Sequence, residues 1–201
     1  PWHNEAIAFQ EAAKIGTDKV IRDHANIGIV VTTDGTVNGM SRAAAAKAEA
    51  EIIDQLTDIG KPFVIVLNST TPNSAETQLL RNQLIEAYEV PVIATSITNM
   101  QLSDIMHVLE EALFEFPVAE IRVEKPDWLD VLDPEHVLNE TLSFASTQLQ
   151  NDFMKIRDVE EASSFLQQID FVESCSVESI DAGLGVATLR VTIHNDVYKD
   201  V

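Results

Sequence analysis

Polar side chains follow each of three apolar segments in the first half of the chain, and their types suit them to bind a ligand. They are Asp34 after the first segment, Asn68 and Ser69 after the second, and Thr95 and Ser96 after the third. Amide and hydroxyl groups can hydrogen-bond the edge of a nucleotide base, whereas a single carboxylate serves a turn, a metal or a phosphoryl group. The segment ends are therefore the candidate binding residues.

Asn68 is the most suggestive of these residues. In nucleotide-binding α/β domains an Asn at such a position braces loops and borders the base; the alternative is an Asn that only caps a turn. P-loop GTPases recognise guanine with an Asp that follows such an Asn and a Lys. Here Ser69 replaces the Lys, and Thr70, Thr71 and Pro72 include no Asp. The pattern favours a base that lacks guanine's pair of N–H donors, such as adenine.

The sequence supplies no pattern for holding phosphate groups or a metal ion. The P-loop pattern G-x-x-x-x-G-K-[ST], whose backbone N–H groups, Lys and hydroxyl hold phosphates and Mg²⁺, is absent. The five histidines show no paired metal-ligand spacing, and the single cysteine adds none. We therefore predict no catalytic residue and no metal ligand in this chain. Asp34 could instead accept a phosphoryl group, as the phosphoacceptor Asp of receiver domains does. That type of site also requires a Lys at the end of a later strand, and this chain has Ser69 there.

Buried strands that alternate with helices must position the candidate residues. Apolar runs without alternation are typical of parallel strands with helices on both faces, and ligands of such sheets bind at the carboxyl ends of the strands. The sequence predicts an α/β fold of this kind. The predicted strands cover about 27–33, 63–68 and 90–94, and the predicted helices cover about 5–25, 42–59, 74–88 and 102–114.

The pattern changes after Pro117, where we predict a domain boundary. Residues 118–123 alternate like a half-buried strand, and two later segments have helical patterns, at 134–150 and 158–168. A hairpin follows, with its turn at 181–185. The predicted domains are a parallel-sheet domain over 1–117 and a smaller α+β module over 118–201. The module is expected to be either a whole domain or part of one.

Composition excludes several classes of protein. The formal net charge is −20, which argues against binding to nucleic acid or to anionic lipid. The single cysteine, Cys175, cannot form an internal disulfide and is expected to be a buried, inert thiol in a reducing compartment. No apolar run reaches the length of a membrane helix, and no signal peptide is present. Because the chain begins at Pro1, we expect a fragment or a processed product.

Several blocks of sequence resemble one known family. Residues 32–36 read Thr-Thr-Asp-Gly-Thr and residues 67–70 read Leu-Asn-Ser-Thr; residues 9–21, 113–117 and 155–159 extend the likeness. The chain resembles the stage IV sporulation protein A family of spore coat morphogenetic ATPases along essentially its whole length. The resemblance implies a P-loop NTPase-like (Rossmann-like) ATPase domain built on the P-loop GTPase fold, followed by the next domain of the protein.

The resemblance also implies an activity and partners. Members of the family use ATP and Mg²⁺, and hydrolysis drives their self-assembly into the basement layer of the spore coat. The implied partners are further copies of the protein, a small amphipathic peptide that anchors it to the membrane, and other coat morphogenetic proteins. Membrane contact is then indirect, nucleic acid is not a partner, and the place of action is the mother-cell cytoplasm at the outer forespore membrane.

The chain departs from the family pattern in one respect. The family's P-loop Lys, its Mg²⁺-binding Asp and its threonine-rich sensing region lie upstream of the part resembled here, so this chain corresponds to the rear half of the ATPase domain and is expected to be inactive alone. Asn68, Ser69, Thr95 and Ser96 are the predicted nucleotide-binding residues. Half of such a sheet should expose a strand edge and an apolar helix face, and should be stable only when something covers that edge.

A second hypothesis is a non-catalytic interaction module that uses a nucleotide fold only as a scaffold. In that case the acidic second segment and its hairpin mediate assembly. Substitution of Asn68 distinguishes the two hypotheses, because it changes nucleotide affinity under the first and only polymer formation under the second.

Overall fold

The computed structural model describes residues 15–16 and 19–200. The chain divides into two compact units, residues 1–112 and residues 113–201. Of the helix predicted over 5–25, residues 15–16 and 19–23 are helical, and the rest of its first part lies outside the described residues.

The first unit contains a parallel three-stranded sheet, and the predicted α/β fold class is confirmed. Its strands are β1 (Gly28–Thr33), β2 (Phe63–Asn68) and β3 (Val92–Thr95), in the order β1-β2-β3. The central strand β2 pairs in parallel with both neighbours, which places the polar ends of all three strands along one edge of the sheet.

Three helices follow the three strands. Two of them begin after serine caps: Ser41 Oγ accepts a hydrogen bond from the Ala44 N–H (3.3 Å), and Ser74 Oγ accepts one from the Thr77 N–H (3.2 Å). The cap residues thus define where each helix begins. The helices are α1 (Arg42–Asp58), α2 (Ala75–Tyr88) and α3 (Leu102–Phe114).

The helices cover the two faces of the sheet unequally. Alternate residues of β2 pack on one face against α1 and α2, including Ile53, Leu56 and Leu84. The other residues of β2 pack against Val108 and Ala112 of α3, with Ile27, Ile93 and Met100 beside them. Strand β2 is therefore buried on both faces, which explains its unbroken apolar sequence.

No strand among the described residues pairs with the outer edge of β1. The Gly28 N–H donates to Pro62 O (2.9 Å), and because peptide groups alternate in direction along a strand, those of Ile29, Val31 and Thr33 point away from β2. The Ile29 and Val31 side chains are 44% and 58% exposed, on the same face of the sheet as α3. Ile105 of α3 is exposed as well. The sequence predicted both an open strand edge and an apolar helix face.

The second unit is built on a mixed three-stranded sheet in the order β4-β6-β5. Strands β5 and β6 form the predicted antiparallel hairpin, and β4 lies parallel to β6 on its other side. The elements are β4 (Glu120–Glu124), α4 (Val137–Asp152), α5 (Val159–Leu166), β5 (Val172–Asp181), β6 (Val186–Ile193) and α6 (Asn195–Asp200).

The second unit encloses its own core. Helices α4 and α5 pack with the sheet around fully buried side chains such as Leu149, Leu166 and Leu189. Cys175 lies in this core, and burial raises the pKa of its thiol, although a hydrogen bond with Ser163 works against that rise. The expectation of a buried thiol is confirmed.

A buried carboxylate holds the segment that leads into β4. The side chain of Glu115 forms ion pairs with Lys155 Nζ (2.7 Å) and Arg157 Nη2 (2.6 Å). The backbone reinforces this contact, because the Ile156 N–H donates to Phe116 O (3.0 Å). The beginning of the second unit is therefore fixed to the segment before α5.

Within residues 15–16 and 19–200, no helix combines the length and the apolar character that a membrane span requires.

Candidate functional site

The four predicted nucleotide-binding residues meet at the carboxyl ends of β2 and β3. Asn68 is paired with Thr95 in the register of the two strands, and the Ser69 N–H donates to Thr95 O (3.0 Å). Ser96 follows directly. The parallel sheet therefore brings together residues that are 27 positions apart in the sequence, as its topology requires.

Asn68 connects the ends of two strands and also faces open space. Its Oδ1 accepts a hydrogen bond from the Ile97 N–H (3.0 Å), in the turn that follows β3. Its Nδ2 makes no hydrogen bond to any residue that the structure describes, and the side chain lines a groove beside β1. The amide can therefore hold the loops in place and offer a donor to a ligand, the two roles that the sequence suggested for it.

Ser69 has a different environment. It is fully buried, its Oγ lies 3.2 Å from Thr77 Oγ1, and the same Oγ accepts from the Thr71 N–H (2.9 Å). In this conformation its hydroxyl contacts protein atoms and has no surface for a ligand. Its assignment to a nucleotide pocket stays a prediction, and the contacts of Ser69 give it a role in shaping the loop.

Thr95 and Ser96 are partly exposed at the end of β3. Ser96 Oγ accepts a hydrogen bond from Asn99 Nδ2 (3.1 Å), inside the short 3-10 turn Ile97–Asn99. Both residues lie beside Asn68 and remain accessible, so they can border a ligand that the amide of Asn68 contacts.

The Asp34 carboxylate is surrounded by donors. Its Oδ1 accepts from the Thr36 N–H (2.9 Å) and from Thr36 Oγ1 (2.7 Å), and its Oδ2 accepts from Thr77 Oγ1 (3.0 Å). Burial alone would raise the pKa of Asp34, but hydrogen bonds from Ser69, Thr36 and Thr77 outweigh burial and lower the pKa.

These bonds make Asp34 a link between loops. The described strands β1, β2 and β3 carry no further Asp or Glu that could complete a phosphoacceptor site of the receiver type. The receiver hypothesis therefore gains no support from the geometry around Asp34.

An ion pair between the half-buried Arg42 and the buried Glu49 was missed in the sequence. Arg42 donates from Nη1 and Nη2 to the two oxygens of Glu49 (2.7 and 2.9 Å), and Nη1 also donates to Thr32 Oγ1 (3.1 Å). The Tyr88 hydroxyl donates to Glu49 Oε1 (3.2 Å). Burial would raise the pKa of Glu49, but the hydrogen bonds and charge of Arg42 lower it. The seven-residue spacing of Arg42 and Glu49, two turns of one helix face, was the available signal.

A groove of about 460 Å³ runs along the open edge of β1. Its walls are mostly apolar, with polar groups from Thr32, Thr33, Glu49 and Asn68. Residues 29–33 of β1 all line this groove, so it lies along the same strand edge.

The side chains at the ends of β2 and β3 are neutral, and none of the described clusters resembles a metal site. Across residues 15–16 and 19–200, no cluster of three or more His, Cys, Asp or Glu side chains is placed to hold a metal. The amide and hydroxyl groups at the ends of β2 and β3 are of the kinds that can hydrogen-bond the edge of a base, and that assignment stays a prediction. Groups that would hold phosphate oxygens and Mg²⁺ are not among them.

Comparison with known proteins gives matches along the whole chain. A family model described as "Stage IV sporulation protein A, ATPase domain" matches residues 1–117, and one described as "Stage IV sporulation protein A, middle domain" matches residues 118–201. No solved structure matches the chain.

Three curated relatives carry the name "Stage IV sporulation protein A". The chain is 40% identical to the one from Bacillus subtilis (strain 168), 39% to the one from Bacillus anthracis, and 39% to the one from Clostridioides difficile (strain 630). Each alignment covers all 201 residues of this chain but 41% of the relative. The chain thus spans about two fifths of the length of these relatives.

Proposed function

The chain belongs to the stage IV sporulation protein A family, and from that membership we propose that it is part of a sporulation protein that hydrolyses ATP. Residues 1–117 are then the rear half of the ATPase domain, and residues 118–201 belong to the domain that follows it. The family match over the whole chain is the observation that carries this proposal.

The site geometry supports a role on the base side of a nucleotide pocket. Asn68 Nδ2 offers a donor, Thr95 is its neighbour in the register of β2 and β3, and Ser96 follows Thr95, while Ser69 holds the loop from within. Adenine is the favoured base, because Ser69, Thr70 and Thr71 supply no carboxylate for the two N–H groups of guanine. When bound, ATP and Mg²⁺ supply the phosphoryl chemistry, and upstream residues of the longer protein hold them.

The hydrolysis is proposed to drive self-assembly of the protein into the basement layer of the spore coat. The proposed partners are further copies of the protein, a small amphipathic membrane-anchoring peptide and other coat morphogenetic proteins. The proposed location is the mother-cell cytoplasm at the outer forespore membrane, with indirect membrane contact and no nucleic acid.

Turnover of ATP and GTP tests the proposed activity. The protein with its upstream residues restored is compared with this 201-residue chain under the same conditions. We expect turnover of ATP and not of GTP, in the longer protein only, because phosphate and Mg²⁺ contacts supply most of the catalysis in this class. Turnover by neither protein refutes the proposed ATPase.

A second candidate is a non-catalytic assembly module on a nucleotide-fold scaffold. The exposed apolar residues Ile29 and Val31 on β1 and Ile105 on α3 favour it, because contiguous apolar surface marks interaction sites. Asn68→Ala in the longer protein distinguishes the candidates. Weaker nucleotide binding supports the ATPase, and altered polymer formation with unchanged nucleotide binding supports the module.

A further inference from the structure

An exposed threonine connects the loop after β1 to the loop after β2. Thr36 Oγ1 donates to Asp34 Oδ1 (2.7 Å) and accepts from the Thr70 N–H (3.0 Å). The first bond lies within one turn, but the second joins residues 34 positions apart in the sequence. Thr36 is therefore one of the points at which the two loops are fastened together, beside the hydrogen bond between Ser69 and Asp34.

The chemistry of the groups decides which atom donates and which accepts in this hydrogen-bond network. A hydroxyl has one proton to donate, and that proton goes to the carboxylate of Asp34, because hydrogen bonds to ionised acceptors are the stronger ones. The lone pairs of Thr36 Oγ1 are then free to face the Thr70 N–H. Thr77 donates to the other oxygen of Asp34 and so holds the carboxylate in place from α2.

The fastened loop begins at Asn68. Thr70 lies two residues after Asn68, and the buried Ser69 between them is already fixed through Thr77. The Asn68 side chain is held from the other side by the Ile97 N–H. Thr36 thus restrains the backbone that leaves Asn68, and Ile97 restrains its amide.

We propose that Thr36 is a positioning residue, which acts through Thr70 and Asn68 to hold the base-side loop in its binding conformation. The proposal rests on the proposed function, because it names a residue that serves the same nucleotide site. In this proposal Thr36 acts on the site through Thr70 and Asn68 and makes no contact with the base.

The turn that carries Thr36 does not need its hydroxyl. The Thr36 N–H donates to Asp34 Oδ1 (2.9 Å), and the Gly35 N–H donates to Thr33 Oγ1 (3.1 Å). Both bonds persist when Thr36 becomes Val, which has the same shape. Removal of the hydroxyl should therefore release the Thr70 N–H and leave the turn intact. The variant then changes the position of the loop after β2 without changing the stability of the fold.

The test uses the longer protein and compares Thr36→Val with Thr36→Ser. We expect Thr36→Val to raise the KM for ATP and the Kd of a fluorescent ATP analogue about fivefold, the factor that corresponds to roughly one net hydrogen bond. The kcat is expected to stay within about twofold, since the phosphate groups are held elsewhere. Thr36→Ser keeps the hydroxyl and restores wild-type affinity.

Thr57→Val is the matched control, because Thr57 is an exposed threonine at the end of α1, away from both loops. It is expected to leave affinity and melting temperature unchanged. A Thr36→Val protein with wild-type affinity overturns the proposal, and so does a Thr36→Ser protein as weak as Thr36→Val. A loss of affinity that merely follows a lower melting temperature also overturns it.

The same experiment separates this proposal from the proposed function. If the wild-type longer protein binds no ATP analogue, the proposed function fails. If the wild type binds and Thr36→Val binds equally well, the proposed function stands and the positioning role of Thr36 is refuted.

Discussion

Strands β1 and β5 are both edge strands, but they present opposite kinds of edge. Strand β1 pairs with β2 without any register shift, carries no charged residue and exposes Ile29 and Val31. Strand β5 has two register shifts against β6 and carries the exposed residues Glu173 and Glu178. Bulges and charges are devices that prevent an edge from pairing with another strand.

The difference separates a protected strand edge from an unprotected one. The second unit encloses its own core, and bulges and charges protect its β5 edge. The first unit has a smooth, apolar β1 edge that no strand among the described residues pairs with, and a groove lies beside it. We infer that upstream residues of the longer protein cover β1, and the following predictions test that inference.

Introduction of a charge on β1 should have the largest effect. In the longer protein we expect Val31→Lys to cost about 4 kcal/mol of unfolding free energy, because a covered strand would bury the ammonium group without a partner. In the present chain, where Val31 is 58% exposed, the cost should stay below about 0.5 kcal/mol.

Ser179→Lys on β5 is the control for this edge test, and it should be tolerated in both proteins because Ser179 is exposed and lies opposite the uncharged Thr188. Chemical denaturation measures all four unfolding free energies. If Val31→Lys is tolerated equally in the longer protein, β1 remains uncovered there.

Truncation in the second core should act on that unit alone. Leu189 is fully buried in β6, and Leu189→Ala should lower the unfolding free energy of the second unit by about 3 kcal/mol. The transition of the first unit, followed by amide NMR signals of β2, should not move. Leu184→Ala at the exposed hairpin tip serves as the control. A shift of both transitions would show that the units unfold as one.

Loss of the Glu115 carboxylate should have a smaller effect. Glu115→Gln removes the ion pairs with Lys155 and Arg157, which are themselves partly exposed, so we expect a loss of about 2 kcal/mol from the second unit. Glu110→Gln on the exposed face of α3 should change the same unfolding free energy by less than about 0.5 kcal/mol. Equal effects of the two variants would contradict a role for Glu115 in fixing the segment before β4.

Acid should weaken the first unit through Asp34 and Glu49. Both carboxyl groups have a lowered pKa in the folded state, so each contributes stability above its unfolded pKa and loses it as pH falls through the folded value. Asp34→Asn should therefore flatten the acid limb of the unfolding free energy of this unit. Asp58→Asn on exposed α1 surface is the control. An unchanged acid limb in Asp34→Asn would contradict the contribution of Asp34.

Local pattern was sufficient to predict the order and type of most elements. The apolar run Phe63–Asn68 became a strand buried on both faces, and Ser41 and Ser74 began their helices as predicted. The alternation of residues 186–193 gave one arm of the hairpin. Such signals lie within a few residues of each other, so a single sequence contains them.

Contacts between distant segments were not predictable in the same way. No local pattern indicated that β4 lies parallel to β6 or that Glu115 meets Lys155, because both pairs depend on the path of the chain between the two segments. Within the site, Asn68 and Thr95 were placed at strand ends correctly. The burial of Ser69 and the Thr36–Thr70 bond depend on the exact path of two loops, which residue types do not specify.

Amide hydrogen exchange at β1 tests the central claim most directly. The N–H groups of Ile29, Val31 and Thr33 point away from β2, so they should exchange rapidly in the present chain and become protected in the longer protein. The N–H groups of Leu189 and Val191, in the central strand of the second unit, should be equally protected in both. Rapid exchange of the three β1 amides in the longer protein would contradict the claim that upstream residues complete the first sheet.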